Sequence, residues 1–290
     1  MYAMAESFTL VHPIHEAHRP ADGKLKVLIT GAAGRIGSYF ALHSDDKYDL
    51  RLLCRDGDDT SEIEPLGELV VADIGDLDAF KAACEGVDVM LHLAADPSPN
   101  ATWDSLLPNN IVGGYHAFAA AKHAGVRRVV YASSIHAVSG YRGNRQVHIA
   151  DPVNPGDLYG VTKCFVEALG RYIAEQEGGQ GICVRIAAFQ PPEKARQDLS
   201  LLDTFVSRRD LNQLLQRAVE AEHLQWAVVH GVSDSRFVKL DITSARELLG
   251  YEPQDDLTEM NDELAQLHLH DRVFDHALSS EDQSGLREDV

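Results

Sequence analysis

Only four cysteines, Cys54, Cys84, Cys164 and Cys183, occur in 290 residues, and none stands at a paired spacing. That scatter fits neither a zinc knuckle nor a disulfide framework, so no metal is expected and a reducing, cytoplasmic setting is. Basic residues are also scarce: 26 Lys and Arg face 45 Asp and Glu, a net charge of −19. Phosphate-rich surfaces are repelled by such a chain, which argues against nucleic acid as a partner and gives any Arg or Lys near a ligand a local role. Long apolar runs are missing too. Val87 to Leu93 is among the longest, far short of the roughly 20 residues a membrane helix needs. Residues 1–24 lack the apolar block and cleavage site of a secretory leader. A flexible extension is expected there, with His12, His15 and His18 exposed rather than gathered on a metal.

From residue 26 onward, short runs of Val, Ile and Leu alternate with stretches of helical period. Strands are predicted at Lys26 to Thr30, Leu50 to Cys54, Leu69 to Ala72, Val87 to Leu93, Arg128 to Ser133 and Ile182 to Ile186. Helices are predicted at Trp103 to His123 and Leu158 to Glu177, the second stopped by Gly178-Gly179. This order implies an α/β fold, a doubly wound parallel sheet with helices on both faces. The alternation weakens past residue 190, where Arg209 to Ala221 reads as helix, Gln225 to His230 as strand and Thr243 to Leu249 as a short helix. The expected division is a dinucleotide-binding domain over 25–190, a small C-terminal substrate lobe over 191–258 and a polar tail over 259–290.

Thr30-Gly31-Ala32-Ala33-Gly34-Arg35-Ile36-Gly37 follows the first strand directly. Gly31 permits the tight turn, Gly34 lets backbone approach a pyrophosphate, and Gly37 lets the helix pack close. A strand before and a helix after raise this pattern from a common turn to a dinucleotide cradle. The second strand ends in Cys54-Arg55-Asp56, where NAD enzymes usually carry an acid. Arg35 and Arg55 together would grip a 2′-phosphate, which tilts the expected cofactor towards NADP, with NAD the alternative. Asp73-Ile74 closes the third strand where an acid can meet the adenine amino group, and Leu93-Ala94-Ala95 closes the fourth with small residues beside the cofactor.

Tyr159 and Lys163 lie four residues apart, one turn along one helix face. A phenol near pKa 10 is a poor base at neutral pH. A nearby ammonium and the positive ring of an oxidised nicotinamide favour phenolate, which equips Tyr159 to take a hydroxyl proton as hydride leaves. The fifth strand ends in Ser133-Ser134, and Ser134 is placed to hold the reacting oxygen. His136 reaches the same region as a substrate contact, and Asn110 either relays protons or braces the Lys163 helix.

These motifs, Thr30 to Gly37, Asp73-Ile74, Ser133-Ser134 and Tyr159 to Lys163, resemble the extended short-chain dehydrogenases, the NAD-dependent epimerase/dehydratase family, over roughly residues 25–255. More narrowly, His92 to Ala95, Trp103-Asp104-Ser105, Ala132 to His136, Leu158 to Cys164 and Leu249-Gly250-Tyr251 resemble uronate dehydrogenases and related glucose-6-phosphate dehydrogenases. The resemblance implies a Rossmann-type fold, a homodimer, and oxidation of a sugar's anomeric carbon to a lactone. It also implies that Ser134, His136 and Tyr159 surround the sugar, that Arg196 binds its carboxylate or phosphate, and that Ile186 lies by the cofactor. The chain departs from the pattern at Ile135, Ala187-Ala188-Phe189 and Cys54, each less polar than the family's residue. Three readings stand: a dehydrogenase of a small sugar or sugar acid, a nucleotide-sugar epimerase or dehydratase, and a non-catalytic sensor of the dinucleotide.

Overall fold

The computed structural model describes residues 10–11, 23–191, 193, 201, 203–235 and 239–260. Its centre is an eight-stranded sheet. In chain order the strands are β1 (Leu10–Val11), β2 (Lys26–Thr30), β3 (Asp49–Cys54), β4 (Glu68–Val71), β5 (Val89–His92), β6 (Arg128–Ser134), β7 (Gln180–Ile186) and, after a separate two-residue pair β8 (Ala188–Phe189) and β9 (Phe205–Val206), β10 (Leu224–Gly231). The spatial order is β1-β10-β7-β6-β5-β2-β3-β4. Seven strands run parallel, and β1 pairs antiparallel with β10 at the edge. The strand order reverses between β2 and β5, the switch point at which open α/β sheets bind ligands.

Alternate residues of each strand feed two cores. Val27, Ile29, Leu50 and Leu52 pack on one face with Phe40 of α1 (Arg35–Leu42) and with Leu211, Leu214 and Leu215 of α6 (Arg208–Glu220). Leu28, Leu53, Met90 and Tyr131 point the other way. They meet Phe80 of α2 (Leu77–Ala83), Phe118 of α4 (Gly113–Ala124) and Val166 of α5 (Leu158–Glu177). The period of two in the strands is thus what clothes both faces with helices.

Three stretches differ from expectation. Leu224–Gly231, expected in the small lobe, is the seventh parallel strand of the main sheet, in register with β7 from Trp226↔Gly181 to Gly231↔Ile186. The sheet therefore runs across the 190/191 boundary, leaving β8, β9, α7 (Thr243–Leu249) and α8 (Leu257–Met260) beyond it. Within residues 1–24, Leu10–Val11 adds the antiparallel edge. The predicted helix Trp103 to His123 is divided: α3 (Trp103–Leu106) passes through a π-helical segment, Leu107–Val112, into α4. Such wide turns rotate a residue out of the regular helical register, and here the segment carries Asn110.

Candidate active site

The glycine-rich turn sits at the C-terminal end of β2, and two of its glycines, Gly31 and Gly37, are sterically required. Gly31 has φ +66°, and a Cβ on Gly37 would stand 2.4 Å from the Gly31 carbonyl oxygen. Gly34 is the N-cap of α1 and is exposed with Arg35, so the first turn of the helix opens to solvent while Gly37 is buried. Thr30 Oγ accepts from the backbone N–H of Leu93 (3.1 Å) and Ala94 (3.2 Å), fastening the end of β5 beside the turn. A bare backbone at a helix N-terminus, flanked by half-buried Leu93, Ala94 and Ala95, suits a pyrophosphate with the rest of a dinucleotide laid along the strand ends.

Tyr159 and Lys163 occupy the first turns of α5, both buried. Lys163 Nζ donates to the Ala132 carbonyl at 2.8 Å and lies 4.9 Å from the Tyr131 ring centroid and 5.4 Å from that of Tyr159. Burial is the largest influence on both groups. It pushes Tyr159 up to about 12 and brings Lys163 down to about 7. A hydrogen bond with Ser134 pulls Tyr159 the other way, while the Asp157 and Asp96 carboxylates push it further up. The lowered phenol expected of the pair is thus not a property of the protein alone: the ammonium is spent on a backbone carbonyl, and desolvation wins.

Ser134 ends β6 opposite Ile186 of β7, and Ser134 Oγ accepts from the His136 N–H at 3.2 Å. The His136 ring stands edge-on to Tyr159, 5.4 Å between centroids, with Nδ1 2.6 Å from Asp157 Oδ2. Asn110 is buried and fully engaged. Its Oδ1 accepts from Asp96 N–H (2.8 Å) and its Nδ2 donates to Asp96 O (3.0 Å) and to Thr162 Oγ (3.1 Å). Both amide hydrogens are committed, so of the two roles considered this geometry favours bracing α5 over relaying protons.

The model of a family described as NAD dependent epimerase/dehydratase matches residues 27–221, taking in cradle, serines, Tyr159 and Lys163. The chain belongs to that family. Among its relatives, an NAD-dependent glucose-6-phosphate dehydrogenase of Haloferax volcanii is 36% identical over 251 residues, 80% of this chain and 94% of the relative. An L-arabinose 1-dehydrogenase (NAD(P)(+)) of the same organism is 32% identical over 256 residues, 79% and 96% of the two chains. Among solved structures, a uronate dehydrogenase mutant of Agrobacterium tumefaciens complexed with NAD superposes with a TM-score of 0.74 at 29% identity, covering 84% of this chain and 89% of its own. The epimerase/dehydratase fold, a seven-stranded parallel sheet in Rossmann-like order, is shared by this chain.

At the far end of the epimerase/dehydratase cradle, Arg55, Asp56, Gly57, Asp58, Val71, Ala72 and Asp73 line a cleft of about 500 Å³. Arg55 is exposed, with its backbone N–H on Asp58 Oδ2 (2.9 Å) and its guanidinium 3.9 Å from Asp58 Oδ1. Arg35 turns to the opposite segment: Nη2 donates to Phe189 O (2.6 Å) and Gln190 Oε1 (3.2 Å). Asp73 Oδ1 accepts from Gly75 N–H at 2.7 Å, and Ile74 is buried behind it with its carbonyl on His116 Nδ1. Arg196 lies outside the described residues, as do His12, His15 and His18.

The site also contains residues that the sequence argument passed over. Asp157 precedes Tyr159 by two and caps α5, a signal readable from an Asp three residues before Gly160. Glu167 stands one further turn along the Tyr159–Lys163 face and accepts from Ser133 Oγ (2.5 Å) and, bidentate, from Arg185 Nε (2.9 Å) and Nη2 (2.8 Å). Its spacing was readable; its partners, two strands away, were not. Asp96 had no local signal, since only the fold brings its carboxylate towards Tyr159.

Proposed function

We propose that this chain is a dehydrogenase that oxidises the anomeric hydroxyl of a single small sugar, sugar acid or sugar phosphate to a lactone. The observation that carries this reading is the convergence of Ser134, Tyr159 and Lys163 beside the glycine cradle, at the carboxyl edge of the sheet. Bound NAD supplies the hydride acceptor. Ser134 holds the substrate oxygen and Tyr159 takes its proton, while protonated Lys163 adds the positive charge that offsets burial of a phenolate. The relatives named for glucose 6-phosphate and L-arabinose support a single sugar, because this chain covers 94% and 96% of their lengths. His136 beside Tyr159 provides a first polar contact to the sugar, and Arg196 is proposed for an anionic substituent.

The adenosine end supports NAD rather than the NADP to which Cys54 and the two arginines pointed. Arg35 is engaged by Phe189 and Gln190, and Arg55 shares its cleft with the carboxylates of Asp56, Asp58 and Asp73. A 2′-phosphate entering there would meet more negative than positive side chains.

A homodimer is the proposed assembly. Val161, Phe165 and Tyr172, at i, i+4 and i+11, leave an exposed apolar stripe along α5, with Tyr115 exposed on neighbouring α4. Unpaired cysteines favour the cytoplasm. No helix among the described residues is long and apolar enough to cross a membrane.

A panel of uronic acids, aldoses and aldose phosphates, each with NAD and NADP, tests the proposal through absorbance of the reduced nicotinamide. Accumulation with one class of sugar, at higher kcat/KM with NAD, is the expected result. Sugar interconversion without accumulation would assign an epimerase instead, and silence across the panel a sensor.

A further inference from the structure

The last three residues of β6 are tied to successive turns of α5. The Ala132 carbonyl accepts from Lys163 Nζ at 2.8 Å, Ser133 Oγ donates to Glu167 Oε1 at 2.5 Å, and the Ser134 side chain bonds Tyr159. Tyr159, Lys163 and Glu167 follow one another at i, i+4 and i+8, so a single helix face meets a single strand end. Ser133 and Arg185 are direct register partners on β6 and β7, and Glu167 bonds both. Its Oε1 also accepts from Arg185 Nε at 2.9 Å and its Oε2 from Nη2 at 2.8 Å, and all three side chains are buried.

The three ties are unequal as anchors. Lys163 reaches its carbonyl on a long flexible stem, and in the proposed reaction it also lends charge to Tyr159. The Ser134–Tyr159 bond joins the reacting groups themselves and has to admit a substrate oxygen. The Ser133–Glu167 bond has neither duty. It is short and charge-assisted, and its carboxylate is already held and compensated by the planar fork of Arg185. The Ser133 hydroxyl is therefore not needed to satisfy Glu167. What it adds is a stiff link between the strand that ends in Ser134 and the helix that carries Tyr159. Its hydrogen, given to Glu167, is also withdrawn from any substrate, which separates the roles of the two adjacent serines.

We infer that Ser133 is a positioning residue: through Glu167 it fixes the strand-to-helix spacing that holds Ser134 and Tyr159 against one substrate oxygen. The inference deepens the proposed function and rests on it. A shift of about 1 Å between such groups costs on the order of a hundredfold in rate. Tyr159 depends on the same spacing in a second way. Its phenol is faced by Lys163 on its own helix, by His136 edge-on and by the Asp157 and Asp96 carboxylates, and the Ser134 bond works against burial and both carboxylates. Loosening that bond lets the phenol rise further.

The substitution Ser133→Ala removes the link and leaves Glu167 both of its Arg185 bonds, so the variant should fold as the wild type does. In the full chain, kcat is expected to fall about tenfold to a hundredfold, while KM for the sugar and the NAD dissociation constant stay within about twofold. The limb of the kcat–pH profile that rises as Tyr159 loses its proton should move to higher pH. A crystal structure of the NAD-bound variant should place Ser134 Oγ beyond hydrogen-bond reach of Tyr159 Oη. Wild-type kcat in the variant overturns the inference, as does a lowered kcat with an unmoved limb. A Ser134–Tyr159 bond that survives the substitution overturns it with or without turnover. If the wild type oxidises no sugar, the proposed function fails, and the crystallographic spacing, which needs no turnover, still decides whether Ser133 holds the strand end to the helix.

Discussion

Burial works against the charged forms of both Tyr159 and Lys163, and the consequences can be measured without a substrate. Lys163 is brought down to about 7 from an ordinary 10.5. Between those values the unfolded chain holds a proton that the folded chain has released, so this residue makes stability rise with pH across the window. Below about 7 its desolvation cost is fully present. The variant Lys163→Met lacks that dependence. Its thermal stability relative to wild type is expected to be greatest near pH 6 and to shrink towards pH 9, and parallel curves from the two proteins would contradict the assignment. Chemically, Tyr159→Phe removes the proposed proton acceptor and leaves the cradle intact. A loss of roughly 10²-fold to 10⁴-fold in kcat is expected, with the NAD dissociation constant from fluorescence titration unchanged. At this scale the sequence was informative about identity and not about environment. Tyr159, Lys163 and Ser134 could be named from spacing and strand ends, but the backbone partner of Lys163 and the carboxylate of Asp96 are set by chain segments that only folding brings together.

Helix α5 carries Tyr159 and Lys163 and is tied down along its buried face. Asp157 caps it, Asn110 holds Thr162, and Glu167 grips Ser133 of β6 and Arg185 of β7. The Glu167–Arg185 pair is almost completely buried, with side-chain exposures of 7% and 4%. Such a pair adds little net stability over an apolar pair, yet removing one partner strands a buried charge. Glu167→Gln should therefore cost about 3 kcal/mol, and Glu167→Ala towards about 5 kcal/mol, in urea unfolding. A double variant with Met at both positions should recover much of the loss. A cost below about 1 kcal/mol for either single variant would show that the pair is not clamping the helix. Much of this element was legible: the run Leu158 to Glu177 is helical over those limits and ends at Gly178 with φ +80°. The π-helical segment at Leu107–Val112 was not, because a one-residue widening leaves the apolar period nearly intact while turning Asn110 inward.

For the whole molecule, the apolar stripe on α5 makes the strongest structural statement beyond one chain. Phe165→Glu places a charge at the middle of the proposed contact and, lying on the exposed face, should leave the fold unchanged. Light scattering is expected to show a dimer for wild type and a monomer for the variant; a wild-type monomer at micromolar concentration removes the dimer. The parallel sheet and its switch point were legible from alternating runs alone, since both faces of every inner strand had to be apolar. Leu224–Gly231 was assigned to the wrong neighbourhood because its own alternation says strand without saying beside what; the register with β7 is a long-range choice made by the Gly181–Trp226 contact and the packing of α6. The central claim spans the whole molecule too, since the cradle, the serine and the helix of Tyr159 and Lys163 come from three separate stretches of chain and are proposed to act on one carbon. The most direct test supplies the best sugar of the panel with deuterium on its anomeric carbon and follows the label by mass spectrometry. The account predicts one deuterium on each reduced nicotinamide and a lactone free of label, with slowed turnover. Label retained in the sugar, or lost to water, would contradict it.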